Sequence, residues 1–256
     1  MTDTDVARTL LDAASGDGPR AARATVIEGP DDLPRGTSSI LLADGKRLGN
    51  KLLGELSAEA LRDALDGGRR GTISLTHNGE QVGVYIEVAE PELELIVVGG
   101  GHIGRSLSYI GAHVGFRVTV VDDRADYANP ERFPEADQVI CEDFATAIAK
   151  LPLGPTSSVV IVTRGHKQDE LALSLTAGSS AGYVGMIGSK RRVGAVFQHL
   201  EESGVSAQAL ARVHSPIGID IGSETPEEIA VSIIAEIIAE RRKKQVRTLS
   251  AGRRRS

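Results

Sequence analysis

The sequence predicts an α/β protein in which a doubly wound parallel sheet follows a small α+β domain. Two observations carry that expectation. After residue 92, short continuous apolar runs alternate with helix-compatible segments: "LELIVV", "FRVTVVD", "QVIC", "SSVVIVT" and "GYVGMI". Continuous apolar runs mark strands buried on both faces, as in a parallel sheet covered by helices. Before residue 90 the candidate strands "RATVIEG", "SSILLAD", "GTISLTH" and "GVYIEVA" are separated by polar turns and by one helical stretch, "SAEALRDAL". The change falls in "EVAEPELEL", where Pro91 and four glutamates lie between apolar segments. The expected organisation is a small α+β domain over 1–90, a doubly wound, Rossmann-like domain over 91–244, and a disordered basic tail over 245–256.

In the first domain Ser57 is the expected N-cap of its helix, with Leu61 and Leu65 spaced four apart toward a core. In the second, the final helix is announced by "SETPEEIAVSIIAEIIAERRKK". Thr225 is the expected N-cap, Pro226 the first helical residue and Glu228 the partner in a capping box. Ile229, Ile233 and Ile237 form a buried stripe, and Arg241 to Lys244 suit the negative end of the helix dipole. Apolar residues including Val231 cover more than half its circumference, which fits packing between domains or a homodimer contact.

Composition narrows the class. A hydrophobic content of 41% and a charged content of 25% are those of a soluble globular protein. The net charge of −6 argues against nucleic acid as a partner, despite the locally basic end. One cysteine, Cys141, excludes an internal disulfide and a zinc-type cysteine cluster. Ending the run "DQVIC", it is expected in the core. The first residues lack the basic start and apolar centre of a secretory signal. No apolar run approaches the roughly 18 residues of a membrane helix. A cytoplasmic protein is the expectation.

The stretch "ELIVVGGGHIGRS" concentrates the chemistry. Gly99, Gly101 and Gly104 form G-x-G-x-x-G between a strand and a helix, and a second strand ends on Asp122, 18 residues after Gly104. In this context Gly99 permits a tight turn, Gly101 lets backbone approach a pyrophosphate, and Gly104 lets helix and strand pack closely. The helix N-terminus offers free N–H groups and a positive dipole end. Asp122 is placed to accept from ribose hydroxyls, and Arg124 to meet a 2′-phosphate, which leaves NAD and NADP both open.

Three further segments follow strands, where a doubly wound sheet holds its ligands. "VTRGHKQDE" supplies Arg164, Lys167 and the titratable His166, with Asp169 to orient them. "GMIGSKRR" brings Gly188 and Ser189 to a helix start and reads as a second anion-binding turn. "VHSPIGIDIGSETPEE" is an irregular, glycine-containing connection carrying His214, Pro216, Asp220 and Gly222.

Together "LIVVGGGHIGRSL", "GFRVTVVDDRADYANPERFPEAD", "VIVTRGHKQDELAL", "YVGMIGSKRRV" and "HSPIGIDIGSETPEEIAVSIIAEIIAERR" resemble the Rossmann domain of the XdhC/CoxI family, maturation factors of molybdenum hydroxylases such as xanthine dehydrogenase. The resemblance runs from about residue 92 to 242. It implies a non-catalytic accessory protein that binds a molybdopterin-type cofactor, protects it during sulfuration and delivers it to an apo molybdenum hydroxylase, with a cysteine desulfurase as a further partner. The implied cradle is Gly99, Gly101, His102, Ile103 and Gly104, with Asp122, Asp123 and Arg124 after the second strand. Arg164, Gly165, His166, Asp169, Gly188, Ser189, His214 and Gly218 would line the crevice.

The N-terminal part keeps Pro34 and Arg35 of that family's opening turn but departs at its glycine-glycine-cysteine turn. That turn falls within "LGNKLLGELSAEA", where Gly54 remains and Glu55 or Leu56 stands in the cysteine's place. A thiolate there can handle sulfur; a carboxylate or leucine cannot transfer it. The alternative function is an NAD(P)-dependent oxidoreductase with His166 or His214 as acid/base. Against it, no second catalytic domain is evident, since His77 is the only histidine before residue 91.

Overall fold

A computed structural model of the protein describes residues 3–16, 18–67 and 69–246. Of the expected basic tail, residues 247–256 lie outside the described residues. The chain divides into two compact units whose boundary in the sequence falls between Glu92 and Leu93.

The first unit contains α1 (Asp3–Ser15), β1 (Ala21–Glu28), β2 (Ser38–Leu42), β3 (Arg47–Gly49), α2 (Lys51–Leu56), α3 (Ala58–Leu65), β4 (Gly71–His77) and β5 (Glu80–Ala89). Its sheet has the order β3-β2-β1-β5-β4, with antiparallel neighbours. Because side chains alternate along a strand, β1 serves two cores. Ala22, Ala24 and Val26 pack with Leu53, Leu61 and Leu65 of α2 and α3, while Ala21 joins Ile40, Leu42 and Ala13 of α1.

The sequence predicts one helix in this unit, and α1 and α2 are additional. Ser57 sits where α2 runs into α3, and it does not cap α3 with its side chain. Its hydroxyl instead donates to the Leu53 carbonyl at 2.6 Å. The end of one helix thus takes the group expected to begin the next, and the Leu53 carbonyl accepts from both the Ser57 amide and the Ser57 hydroxyl.

The second unit follows the order β6 (Glu94–Val98), α4 (His102–His113), β7 (Arg117–Asp122), β8 (Gln138–Cys141), α5 (Phe144–Lys150), β9 (Ser157–Ile161), α6 (His166–Thr176), β10 (Tyr183–Met186), α7 (Lys190–Glu202), α8 (Ala207–Leu210) and α9 (Pro226–Arg241). The strands make a parallel sheet in the order β10-β9-β6-β7-β8. Alternation again explains the layers. Ile96, Val98, Val159 and Ile161 face the core shared with α5, α6 and α7, while Leu95, Val97 and Val160 face the core shared with α4 and α9. The central strands β6, β7 and β9 carry continuous apolar runs because both of their faces are covered, as the sequence predicts for a doubly wound domain.

The capping box of α9 forms as expected: Thr225 Oγ1 accepts from the Glu228 amide at 3.2 Å, and Glu228 accepts from the Thr225 amide at 3.1 Å. Ile233, Ile234 and Ile237 are buried, whereas Val231 remains 48% exposed. Cys141 corrects the sequence reading, because it is exposed rather than in the core. It is the last residue of β8, an edge strand none of whose residues is buried. An apolar run does not reveal whether its strand is central or at an edge. Among the described residues no helix is long and apolar enough to cross a membrane.

Candidate functional site

The chain leaves β8 at one edge of the sheet and returns through α5 to β9 on the other side of β6. Strand order therefore reverses beside β6, and such a switch point opens a crevice past the carboxyl ends of the strands. The glycine turn lies there.

Its glycines have different reasons to be glycine. Gly99 has φ of +119°, and a Cβ on it would lie 2.5 Å from the Val162 carbonyl oxygen. At Gly100 a Cβ would lie 2.1 Å from the Tyr127 carbonyl oxygen, and at Gly104 2.0 Å from that of Gly99. These positions are demanded by the protein's own packing. Gly101 is not: no atom lies within 4 Å of where its Cβ would be. It faces a cavity of about 440 Å³ that is lined by Ile103, Tyr127, Arg164 and Pro226 among others.

The turn is fixed from both ends. The Gly100 amide donates to Asp122 Oδ2 at 2.8 Å, and its carbonyl accepts from Arg132 Nε at 3.0 Å. Gly101 then caps α4 with no side-chain hydrogen bond. The first-turn N–H groups and the positive end of the helix dipole face the cavity without a side-chain acceptor between them.

Asp122 stands at the end of β7 as expected, but its role differs. Oδ1 accepts from the Arg124 amide at 3.1 Å and from Arg124 Nε at 2.9 Å, while Oδ2 accepts from Gly100 and, at 3.0 Å, from Arg124 Nη2. A carboxylate has about four acceptor positions, and here all are used within the protein. The carboxylate expected to take ribose hydroxyls is closed by its own loop. Burial raises its pKa, but the hydrogen bonds from Arg124 and Gly100 and the Arg124 charge outweigh burial and hold it below the ordinary value. Arg124 stacks 3.5 Å over the Tyr127 ring. At the rim Arg164 pairs with Asp123 at 3.0 Å, and its side chain stays 43% exposed.

The remaining predicted residues fall into separate places. Gly165 caps α6, and His166 begins it. His166 and Ser189 line a second cavity of about 450 Å³, with Arg191, Arg192 and His199. Ser189 spends its hydroxyl on its own helix, accepting from the Arg192 amide at 3.4 Å, and Gly188 immediately precedes it. Asp169 is fully buried and does not line the crevice; it accepts from Thr163 Oγ1 at 2.5 Å and pairs with Arg192 of α7. It orients Thr163 and Arg192 rather than Arg164 or Lys167. Burial raises its pKa, and the Thr163 bond and the Arg192 charge only partly offset that.

His214 and Gly218 lie outside the glycine-turn cavity. They follow β10, the edge strand, and His214 forms an isolated parallel bridge with Gly185. His214 stacks on Tyr183 at 4.5 Å, and the Gly218 amide donates to Glu236 Oε2 at 2.9 Å. Gly218 has φ of +101°, and a Cβ there would lie 2.2 Å from Ser232 Oγ, so this glycine serves packing. Tyr183 donates to the same Glu236 oxygen at 2.5 Å; burial and this carboxylate push its phenol well above the ordinary value.

Sequence reasoning missed Gly100, Tyr127, Arg132, Thr163 and Pro226. Gly100 lies within the quoted glycine run, Thr163 within "VTRGHKQDE" and Pro226 at the start of a well-capped helix, but none of these patterns marks the residue as part of the site. Arg132 reaches Gly100 across 32 residues, a pairing that no local pattern encodes.

Comparison with known proteins agrees with this architecture. The XdhC Rossmann domain family matches residues 95–237. The Escherichia coli K12 protein YqeB is 30% identical over 233 residues, covering 85% of this chain and 43% of that protein. A Bacillus subtilis 168 protein, named as a probable subunit of xanthine dehydrogenase, is 30% identical over 172 residues, 67% of this chain and 50% of that protein. The matches thus span half or less of these relatives' own length. A crystal structure from Bacillus halodurans, described as a xanthine dehydrogenase, superposes with a TM-score of 0.57 at 20% identity, covering 98% of this chain and 99% of that one. At that identity the likeness bears on the fold alone. The family match covers more than half of the chain and contains the whole glycine turn, and the chain belongs to the XdhC family.

Proposed function

We propose that this protein is an accessory maturation factor that holds a phosphate-bearing molybdenum cofactor at the glycine turn and supports its delivery to an apo molybdenum hydroxylase of the xanthine dehydrogenase type. The observation that carries the proposal is Gly101, which lacks any internal packing reason to be glycine and leaves open the place where a phosphate would meet the N-terminus of α4. The other residues fit such a group. Arg164 at the rim can turn from Asp123 to a phosphate, since a half-exposed ion pair is weak. Ile103 and Tyr127 give the cavity apolar and aromatic surface.

The family membership and the name of the Bacillus subtilis relative support the choice of client. When bound, the cofactor supplies the redox centre of that client; the protein's task is to bind, orient and shield it. Sulfur transfer is not assigned to the N-terminal turn, where Glu55 is exposed and no thiol is present. A separate cysteine desulfurase in the same cytoplasmic compartment would supply the sulfur. The oxidoreductase alternative has less support, because Asp122 has no acceptor position left for a ribose.

The test is purification from cells that make the cofactor, with bound molybdopterin measured by pterin fluorescence and native mass spectrometry. Complex formation with an apo-hydroxylase is measured alongside. Wild-type protein should carry molybdopterin. Gly101→Asp, which sets a carboxylate against the phosphate, should lose about tenfold or more in occupancy while melting normally. A wild-type protein that binds neither cofactor nor client at micromolar concentration sinks the proposal.

A further inference from the structure

A dinucleotide on a doubly wound domain rests its pyrophosphate on the first helix and its ribose diol on an acidic residue at the end of the second strand. Asp122 occupies that position, as the last residue of β7. We infer that Arg124 makes this cleft selective against nicotinamide dinucleotides, by satisfying from within the carboxylate that their ribose needs. The ligand class that remains is a phosphate monoester, presented to Gly101 and Arg164 without a diol to place at the end of β7. The inference rests on the glycine turn being the phosphate cradle.

The argument is one of acceptor positions and charge. Each Asp122 oxygen already accepts two hydrogen bonds, three of the four from Arg124 and one from Gly100. A ribose diol brings two donors and no positive charge. To bind it, Asp122 must release the guanidinium at a site where it is only 1% exposed, which leaves a buried carboxylate without its cation.

Arg124 is also held on its other sides. Its guanidinium carbon lies 3.5 Å over the centre of the Tyr127 ring, and Asp123 Oδ1 is 3.7 Å from its Nε. The same commitment blocks the NADP reading. The Nε and Nη2 groups that would grip a 2′-phosphate as a fork are both donated to Asp122. Asp122 thereby becomes a positioning residue for the turn, because the oxygen that accepts from Arg124 Nη2 also anchors the Gly100 amide.

The experiment is calorimetric titration of the full chain with NAD⁺, NADP⁺ and inorganic pyrophosphate. Wild type should bind both dinucleotides no more tightly than pyrophosphate. Arg124→Ala frees acceptor positions on Asp122, so its NAD⁺ affinity should rise about ten- to a hundredfold, the scale of one or two hydrogen bonds to a charged group. Pyrophosphate affinity should not rise with it. The Arg124→Ala, Asp122→Asn double variant should lose the gain, which ties it to the carboxylate. Arg124→Gln keeps one donor near Asp122; it should show a smaller gain and serves if the alanine variant fails to fold.

The inference is overturned if wild type binds NAD⁺ or NADP⁺ at least tenfold more tightly than pyrophosphate, or if folded Arg124→Ala and Arg124→Gln gain nothing. Failure of the maturation reading is separable. Variants that gain NAD⁺ in a protein that never carries molybdopterin sink the cofactor proposal and leave this inference standing. Molybdopterin carriage without any gain does the reverse.

Discussion

Each unit of this protein contains a glycine-bearing turn from a strand into a helix, and the two have been treated differently. In the second unit the turn from β6 to α4 keeps an open position at Gly101 and a bare helix N-terminus. In the first unit the turn from β3 to α2 ends on a side-chain cap. Asn50 caps α2 through the Leu53 amide at 2.9 Å, Leu53 is buried, and a Cβ on Gly54 would lie 2.6 Å from Ser39 Oγ. Glu55 lines a cavity of about 260 Å³ with Arg47 and Lys51. The contrast teaches that one chain can leave a helix N-terminus open at one strand-to-helix turn and cap it at another, where Glu55 or Leu56 stands in the place that the family resemblance gives to a cysteine.

The contrast breaks most decisively at Gly100. Adjacent glycines differ in what a methyl group would meet, and Gly100→Ala drives a Cβ into the Tyr127 backbone, which no side-chain rotation relieves. The second unit should lose about 3 kcal/mol, a cost at the upper end for overpacking. Thermal unfolding followed by circular dichroism checks this, and a fall of roughly 10 °C is expected. An unchanged melting temperature would mean that Gly100 is as free as Gly101 and that the division between packing and binding glycines is wrong.

The next test sharpens the role of the carboxylate behind the turn. Asp122→Asn keeps the shape but loses the charged fork with Arg124, so it should cost about 2 kcal/mol at neutral pH. The folded pKa of Asp122 lies below its ordinary value. Its contribution is therefore fully present above the ordinary carboxylate pKa and is lost as pH falls through the folded value. The gap between wild type and Asp122→Asn should narrow below about pH 4. Asp169 has the opposite sign: its raised pKa means that the folded state binds the proton more readily than the unfolded one, so its own contribution to stability rises as pH falls through the folded value. A gap that widens on acidification would contradict the assignment of Asp122.

The smallest expected effect lies in the other turn. Glu55 is exposed, so Glu55→Cys should change stability by less than about 0.5 kcal/mol. Titration with a thiol reagent under native conditions should count two reactive thiols, the new one and exposed Cys141. If the new thiol is unreactive, this turn is more enclosed than its cavity indicates.

Much of this was legible in the sequence because it is local. The five strands of the second unit, the G-x-G-x-x-G turn and the capping box of α9 depend on runs and spacings of a few residues. The illegible part depends on strand order. Nothing in "QVIC" says that β8 is an edge strand, so Cys141 reads as core although it is exposed. Nothing in "HSPIGID" says that β10 is the opposite edge, so His214 and Gly218 read as crevice residues although they pack with Tyr183 and Glu236. The fork of Arg124 on Asp122 spans two residues, but the fingerprint prescribes a ribose there, and the pattern hides the substitution.

The clamp on Gly100 carries a consequence for how the proposed ligand would be captured. Its N–H and C=O are both engaged by side chains, from Asp122 and Arg132. The turn is ordered when the domain folds, so its conformational entropy is charged to folding and not to association. On the proposed reading, capture at the N-terminus of α4 would behave as docking onto a preformed surface, with the half-exposed Arg164 as the rim side chain that would adjust.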